Sequence, residues 1–410
     1  MAVPPSEAQR EAAYDVLDPT RLPFCGKVVV LSGDFQQTSP VVPKADRGGC
    51  ANSWASQAPW WRYDANTAIN HKVLTQSMRA QDDPEFDAFV QHVGAGSAPI
   101  SAPLDAQLTG LNAAFEHLGR AQRGIRLPEE LFSHTHCEAD AIATAHPDLT
   151  DARACGKSGV LCPTNAGVDA LNRQALRKKV ELQPECPVRR LVGVTTIKDT
   201  KDADINDGVA PSDDWLRLCD GKGVPPHELD LCEGAVCMLM RNIAPGWTNG
   251  KRVVIQKIAT HCVKVVDADH WDGLHAVHAD RHTFMVPRIL FDWRFGRVGM
   301  TVQRRQFPLR LAYAVTFNKS QGKTLDRAVI DLRTAPFAHG QLYVALSRVR
   351  TRHSIKLLSR VAQLKVDQAT GERYVETSNV VERRQLIAAM PGHRRAAFEA
   401  AFPEPAGPGA

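Results

Sequence analysis

Residues 304–332 read RRQFPLRLAYAVTFNKSQGKTLDRAVIDL. Two apolar runs stand out within this stretch, Arg310–Phe317 and Ala328–Leu332, and both have buried-strand character. A run that is apolar on both faces suits a parallel strand covered by helices on either side. Lys27–Ser32 (KVVVLS) and Ser158–Cys162 (SGVLC) have the same character, and the first stops at Gly33-Asp34. Ligands gather at the carboxyl ends of strands in open α/β sheets, so Gly33-Asp34 is a candidate site edge.

The surrounding chain alternates with helical patterns. Residues 5–18 read as a short amphipathic helix, and 71–94 as a turn and a helix with Phe86, Phe89, Val90 and Val93 on one stripe. After Cys162 a helix carries Val168, Leu171 and Ala175 on its apolar side, with Arg173, Arg177, Lys178 and Lys179 as polar positions. Residues 95–158 are less regular, and 183–230 are rich in Pro, Gly and Asp, which predicts a long exposed loop. From 233 to 303 the short runs AVCMLMR, RVVIQKI, CVKVVD and TFMVPRIL predict a small antiparallel β unit. Residues 338–348 read as helical and 391–410 as a disordered Ala- and Pro-rich tail. The fold class is therefore α/β with a β insertion: either two α/β domains, one of them cut short, or an unrelated α/β enzyme.

Bulk properties narrow the class. A chain of 410 residues is too long for one ordinary core and predicts two or three domains. Formal net charge is +5, compatible with a nucleic-acid partner without establishing one. Ten cysteines without a C-x-x-C pair predict reduced thiols in a cytosolic or nuclear compartment. Met1–Arg10 has no apolar core, so no signal peptide is expected. Val28–Leu31 and Ala235–Met240 are too short to span a bilayer, so the protein is expected to be soluble, with no membrane partner. His134, His136 and Cys137, and separately His270, His275, His278 and His282, lie close in sequence but lack the spaced ligand pairs of a zinc site, so no metal is expected there.

Five segments in order carry a resemblance: PFCGKVVVLSGDFQQTSPVV (23–42), LTQSMRA (74–80), VLCPTNAGVDALN (160–172) with PPHELDLCEGAVCMLMRNIAPGWTNGKR (225–252), the 304–332 stretch, and HGQLYVALSRVR (339–350). Together they resemble the PIF-one family of superfamily-one helicases, relatives of the RecD helicases. The resemblance implies an ATP-driven motor that steps 5′-to-3′ on single-stranded DNA and opens duplex junctions, as a monomer. Roles in replication, recombination, repair and telomere maintenance are implied with it, in the nucleus or mitochondrion of a eukaryote or otherwise in the cytoplasm. It also implies a domain plan: 1–100 a remnant of a first RecA-like domain, 101–158 a connecting region, 159–232 with 304–365 a second RecA-like domain, 233–303 a small β-barrel insert, and 366–410 a partly disordered tail.

Site residues follow from the same motifs. Such a motor hydrolyses ATP between two domains, and charge building on the γ-phosphate is neutralised by arginine, which is always charged and forks onto phosphate oxygens. Arg79 and Arg348 match the two arginines that do this. Gln37 matches the glutamine that senses the γ-phosphate, a role suited to a group that both donates and accepts. The resemblance implies that Gly33, Asp34, Gln321, Gly322 and Thr324 face the nucleotide. Thr316, Asn318, Lys319 and Ser320 are candidates for the DNA backbone, as are Arg304 and Arg305, with Arg310 and the turn at 249–252 nearby. Trp247, Trp271 and Trp293 either stack on bases or pack the insert. Thr38-Ser39 depart from the family's usual Leu-Pro.

Family members bind ATP with a P-loop lysine and magnesium with an Asp-Glu pair, both upstream of GDFQQ. The 32 residues before Gly33 contain neither. Gly322-Lys323-Thr324 and Gly156-Lys157-Ser158 are not P-loops, because Phe317 and Asp151 stand where G-x-x-x-x-G-K-[ST] requires glycine. The chain as written is expected to bind ATP poorly and hydrolyse it negligibly. An incomplete gene model is the simplest explanation. The alternative is a non-enzymatic, single-stranded-DNA-binding remnant, and a decayed mobile-element copy is a weaker third.

Overall fold

Ala314–Thr316, Ser158–Cys162, Arg327–Asp331, Ile355–Leu358 and Ser133–Thr135 lie in that order in one sheet, and every neighbouring pair is parallel. They belong to a computed structural model that describes residues 29–39, 53–54, 74, 77–99, 121–198, 212–219, 221, 223–295, 300–390 and 392–404. The expected helix at 5–18 lies outside these residues. The central strand Ser158–Cys162 is buried along its whole length, as its unbroken apolar sequence requires. Helices Glu138–Ala145 and Asn165–Leu182 cover the sheet. The second of these starts where the Thr164 hydroxyl accepts from the Gly167 amide at 3.3 Å. Val168, Leu171, Ala175 and Leu176 recur at helical spacing and are all buried. Lys179, read as polar, is buried with them. Its ammonium reaches past the apolar face to the Leu149 carbonyl at 3.0 Å and Gln183 Oε1 at 2.7 Å.

Two other readings change. Residues 29–32 of the expected buried strand form no strand, and Val29, Val30 and Leu31 are exposed. No strand among the described residues pairs with this run, and a parallel strand needs a neighbour to take its backbone groups. The expected loop at 183–230 contains strands Arg189–Val192, Val194–Ile197 and Glu228–Leu231 and the helix Asp213–Leu218. The β-branched run VTTI (194–197) pairs with Met300–Gln306 despite the surrounding Pro and Gly.

The antiparallel unit appears where it is expected, with wider boundaries. One sheet runs Thr283–Pro287, Cys262–Asp267, Arg252–Ile258, Val236–Leu239, Leu309–Leu311, and a second runs Ile289–Phe295, Met300–Gln306, Val194–Ile197. The tail reading is corrected too. Arg373–Val381 pairs antiparallel with Ala121–Pro128, and helices Arg383–Ala389 and Gly392–Ala401 follow. The strand YVETSNVV supplies apolar positions that the Ala- and Pro-rich end obscured.

Asn172 ties the covering helix to the strand that leads into the 316–324 motif. Its amide donates to the carbonyls of Leu311 at 3.2 Å and Ala314 at 3.0 Å and accepts from the Ala314 amide at 2.8 Å. Asn172→Leu keeps the volume but leaves that buried amide without its acceptor. We expect a loss of about 1–3 kcal/mol in urea-unfolding stability.

Candidate functional site

Asp34 organises its own loop. Its carboxylate accepts from the Gln36 amide at 2.9 Å and from Gln37 Nε2 at 3.3 Å, and its carbonyl accepts from the Gln37 amide at 3.2 Å. The loop docks on the start of the helix Gln341–Leu346. There Tyr343 donates its hydroxyl to Asp34 Oδ2 at 3.1 Å. Gly340, at φ +70°, comes so close that a Cβ would lie 2.3 Å from the Gln36 carbonyl oxygen. His339 fixes the same loop through both ring nitrogens. Its Nδ1 accepts from the Glu382 amide at 2.9 Å, so Nε2 carries the proton donated to the Phe35 carbonyl at 2.8 Å. Burial takes this imidazole down to about 4, which keeps it neutral.

Gln321 meets this loop, and Arg79 and Arg348 bond to the segments around it. Gln321 Nε2 donates to Gln37 Oε1 at 3.5 Å. Arg79 donates Nε to Thr324 Oγ1 at 3.1 Å and a second N–H to the Ser347 carbonyl. Arg348 is buried and spends its donors on the Val344 carbonyl at 2.7 Å, Ser347 Oγ at 2.7 Å, and the Ser320 and Lys323 carbonyls at 3.3 Å each. Burial, and then the charge of Arg79, bring Arg348 down to about 10. Among the described residues neither guanidinium has a carboxylate ion-pair partner. The sequence motifs therefore converge as expected, and Tyr343, His339, Gly340 and Ser347 join them. These four lie inside the HGQLYVALSRVR segment, which was the available signal.

The segment that presents Arg79 is anchored by Asp83. This carboxylate accepts from the Phe86 amide at 3.2 Å, which caps the helix Pro84–Ala95. It also accepts from Arg352 Nη2 at 2.6 Å and from the Arg352 amide at 2.9 Å. The Arg352 hydrogen bonds hold Asp83 down at about 2.

The 316–324 segment is half accessible. Thr316 Oγ1 accepts from the Lys319 amide at 3.4 Å and so caps the turn Phe317–Ser320. Thr316 and Asn318 are half-buried and Lys319 is exposed, its ammonium 3.3 Å from Asn249 Oδ1. Ser320 leaves the DNA-facing set. It is buried, and its hydroxyl donates to the Phe317 carbonyl at 2.7 Å because the turn needs that bond internally. Lys323 donates to the Gly250 carbonyl, and burial, then Arg252, lower its ammonium to about 8. Gly322-Lys323-Thr324 is thus fastened to the β unit.

Arg304 is also corrected. It is 0% exposed and donates to Thr195 Oγ1 at 2.9 Å, the Pro225 carbonyl at 2.9 Å and the Cys219 carbonyl. It organises the loop around 219–225 while Arg305, next along the strand, faces out. Arg310 pairs with Asp169 at 2.6 Å. Arg252 of the 249–252 turn is buried against the carbonyls of Gly156 and Ser158 at 2.8 and 2.6 Å, satisfying a helix end. Trp247 packs against Phe284 and Trp271 against His278, and the guanidinium of buried Arg304 lies 5.3 Å from the Trp293 ring. These rings take the packing reading.

Residues 7–102 match the family model described as PIF1-like helicase. Among curated proteins, the ATP-dependent DNA helicase PIF1 of Danio rerio is 26% identical over 84% of this chain and 43% of its own length. ATP-dependent DNA helicase Pif1 of Campylobacter jejuni is 28% identical over 82% of this chain and 63% of its own. The chain is similar to PIF1 helicases over most of its length, and its residues 7–102 carry the PIF1-like match. It spans about half the length of these relatives. A Bacteroides Pif1 crystal structure with ssDNA superposes at TM-score 0.51, with 20% identity, over 98% of this chain and 79% of that one. A Bacteroides Pif1 complex with ADP-AlF3 and ssDNA gives TM-score 0.52 at 19% identity, also covering 98% of this chain and 79% of that one. At these identities the superpositions establish a shared fold, and the PIF1-like motifs above lie on it.

Two outcomes test this arrangement. Arg304→Ala is expected to lower stability by about 3–5 kcal/mol, as loss of a buried, hydrogen-bonded charge does, while Arg305→Ala leaves the denaturation midpoint unchanged. Equal midpoints for both variants would contradict the burial of Arg304. Asp83 has a depressed folded pKa, so the unfolded chain takes up a proton there first as pH falls. Its stabilisation is present above pH ~4 and is lost between ~4 and ~2. Asp83→Asn should therefore lower the melting temperature at neutral pH and flatten its acid dependence in that window.

Proposed function

We propose that this chain is the part of an ATP-dependent, 5′-to-3′ DNA helicase that carries the γ-phosphate-facing arginines, the nucleotide-coupling motif and a single-stranded-DNA surface. One observation carries the proposal: Arg79 bonded to Thr324 and Ser347, beside Gln37 bonded to Gln321, brings four distant motifs to one point. Two guanidiniums without carboxylate partners suit a polyanion whose charge grows during phosphoryl transfer. Gln37 orients a water or a γ-phosphate oxygen, and its amide is itself oriented by Asp34 and Gln321. Thr316, Asn318, Lys319 and Arg305 hold the DNA backbone without reading its sequence. The Asp34 carboxylate is engaged by Gln36, Gln37 and Tyr343, so the described residues of this cleft do not fit a magnesium site. The magnesium and β-phosphate ligands belong to a segment that these residues do not supply.

In a longer protein with those ligands, Arg79→Ala is expected to cut DNA-stimulated ATP turnover by about 10³-fold or more with little change in single-strand affinity. Unchanged turnover would remove Arg79 from the mechanism. The fastening of Lys323 to Gly250 favours a second reading for the chain by itself, a DNA-binding remnant. Its signature is single-strand binding that weakens steeply with salt and ignores ATP.

A further inference from the structure

Asp267, His270 and His282 meet at one end of the antiparallel pair Cys262–Asp267 and Thr283–Pro287. His270 ends the short turn Ala268–His270 and His282 ends the turn Asp280–His282, so the two histidines face each other across the ends of the 271–279 loop. Their rings stack with centroids 3.6 Å apart and planes 10° from parallel. Asp267 Oδ2 lies 3.6 Å from His270 Nδ1. One potential ligand atom from each residue lies within 4.8 Å of the other two. An imidazole in its neutral form offers a metal the lone pair of one ring nitrogen. His282 Nε2 accepts from Arg281 Nε at 3.0 Å, so that nitrogen carries a lone pair, now held by Arg281.

We propose that Asp267, His270 and His282 bind one divalent transition-metal ion of the zinc class. Two imidazoles and a carboxylate are donors that zinc takes readily, whereas magnesium prefers oxygen alone. The site is thus distinct in chemistry and place from any magnesium carried with a nucleotide. Ligand atoms on tetrahedral zinc sit about 3.3 Å apart, given bonds of about 2.0–2.1 Å. Closing the trio to that spacing needs side-chain rotation, and His270, 48% exposed, has room for it. Two cations border the trio. Lys251 Nζ lies 2.8 Å from Asp267 Oδ2, and Arg281 lies on His282. The ion replaces both at the ligand atoms, while Asp267 Oδ1 keeps the Asp269 amide at 3.3 Å. Water completes the coordination. The bound ion staples the two ends of the loop and releases Lys251 beside the turn that receives Lys319 and Lys323.

The test is titration of the purified chain with Co²⁺, followed by visible absorption, with Zn²⁺ as competitor. Wild type is expected to take up one Co²⁺ with a d–d band that Zn²⁺ abolishes, and to melt at higher temperature with Zn²⁺. His270→Ala and His282→Ala, checked for folding by circular dichroism, are expected to bind roughly tenfold or more weakly and lose the thermal shift. His275→Ala is expected to behave as wild type. Absence of binding by wild type, equal binding by the His270 and His282 variants, or loss of binding in His275→Ala would each overturn the site.

Discussion

Ala312 and Tyr313 are the point at which a single stretch of chain leaves one sheet for another. Leu309–Leu311 pairs antiparallel with Val236–Leu239, and Ala314–Thr316 pairs parallel with Ser158–Cys162. Between them the Ala312 amide donates to the Val236 carbonyl at 3.0 Å, while the Tyr313 carbonyl accepts from Val160 at 2.9 Å and from His146 at 2.9 Å. Tyr313 also accepts the Val236 amide on its hydroxyl at 3.3 Å, so one side chain satisfies the inserted sheet while its own backbone satisfies the parallel one. Both residues are buried, and an unpaired backbone group here would be costly. The turn that presents Asn318 and Lys319 begins a few residues later. The β unit and the 316–324 motif therefore share one joint.

The same economy governs charge. Arg79 and Arg348 stand near each other, and burial together with their mutual repulsion lowers Arg348. Their hydrogen-bond partners are carbonyls and hydroxyls, which hold the geometry without cancelling the charge. Arg352 nearby is treated oppositely: it is neutralised by Asp83 and Glu85 and serves as an anchor. Arg79 and Arg348 thus keep their charge, whereas that of Arg352 is cancelled.

That distinction marks how far the sequence could be read. The parallel strands Ser158–Cys162, Ala314–Thr316 and Arg327–Asp331, the covering helix with its Val168–Leu171–Ala175 stripe and the antiparallel unit were legible, because burial imposes a pattern on side chains, whereas Ile355–Leu358 and Ser133–Thr135 were too short to show one. The convergence of Gln37, Arg79, Gln321, Thr324 and Arg348 was legible through motif order. Arg304 and Arg305 were not separable by type. Only strand alternation and the particular carbonyls of Cys219 and Pro225 decide that one is structural and the other exposed. Ser320 misled for a related reason, since a hydroxyl beside a lysine looks like a phosphate contact until the turn claims it. The 183–230 segment hid its strands because Pro and Gly dominate its composition, whereas pairing depends on a few β-branched residues with a partner far along the chain.

The loop around Gln37 is gripped mainly by its backbone. His339 holds the Phe35 carbonyl and Gly340 lies against the Gln36 carbonyl and the Gln37 peptide, while Asp34 and Gln37 are recognised through their side chains, by Tyr343 and Gln321. Such a grip reads the path of the main chain and is indifferent to most of the side chains it carries. Evolution is then free to vary the neighbouring positions while the glutamine stays aimed. Ser39 is the exception, since its hydroxyl accepts from Trp54 Nε1 at 3.1 Å.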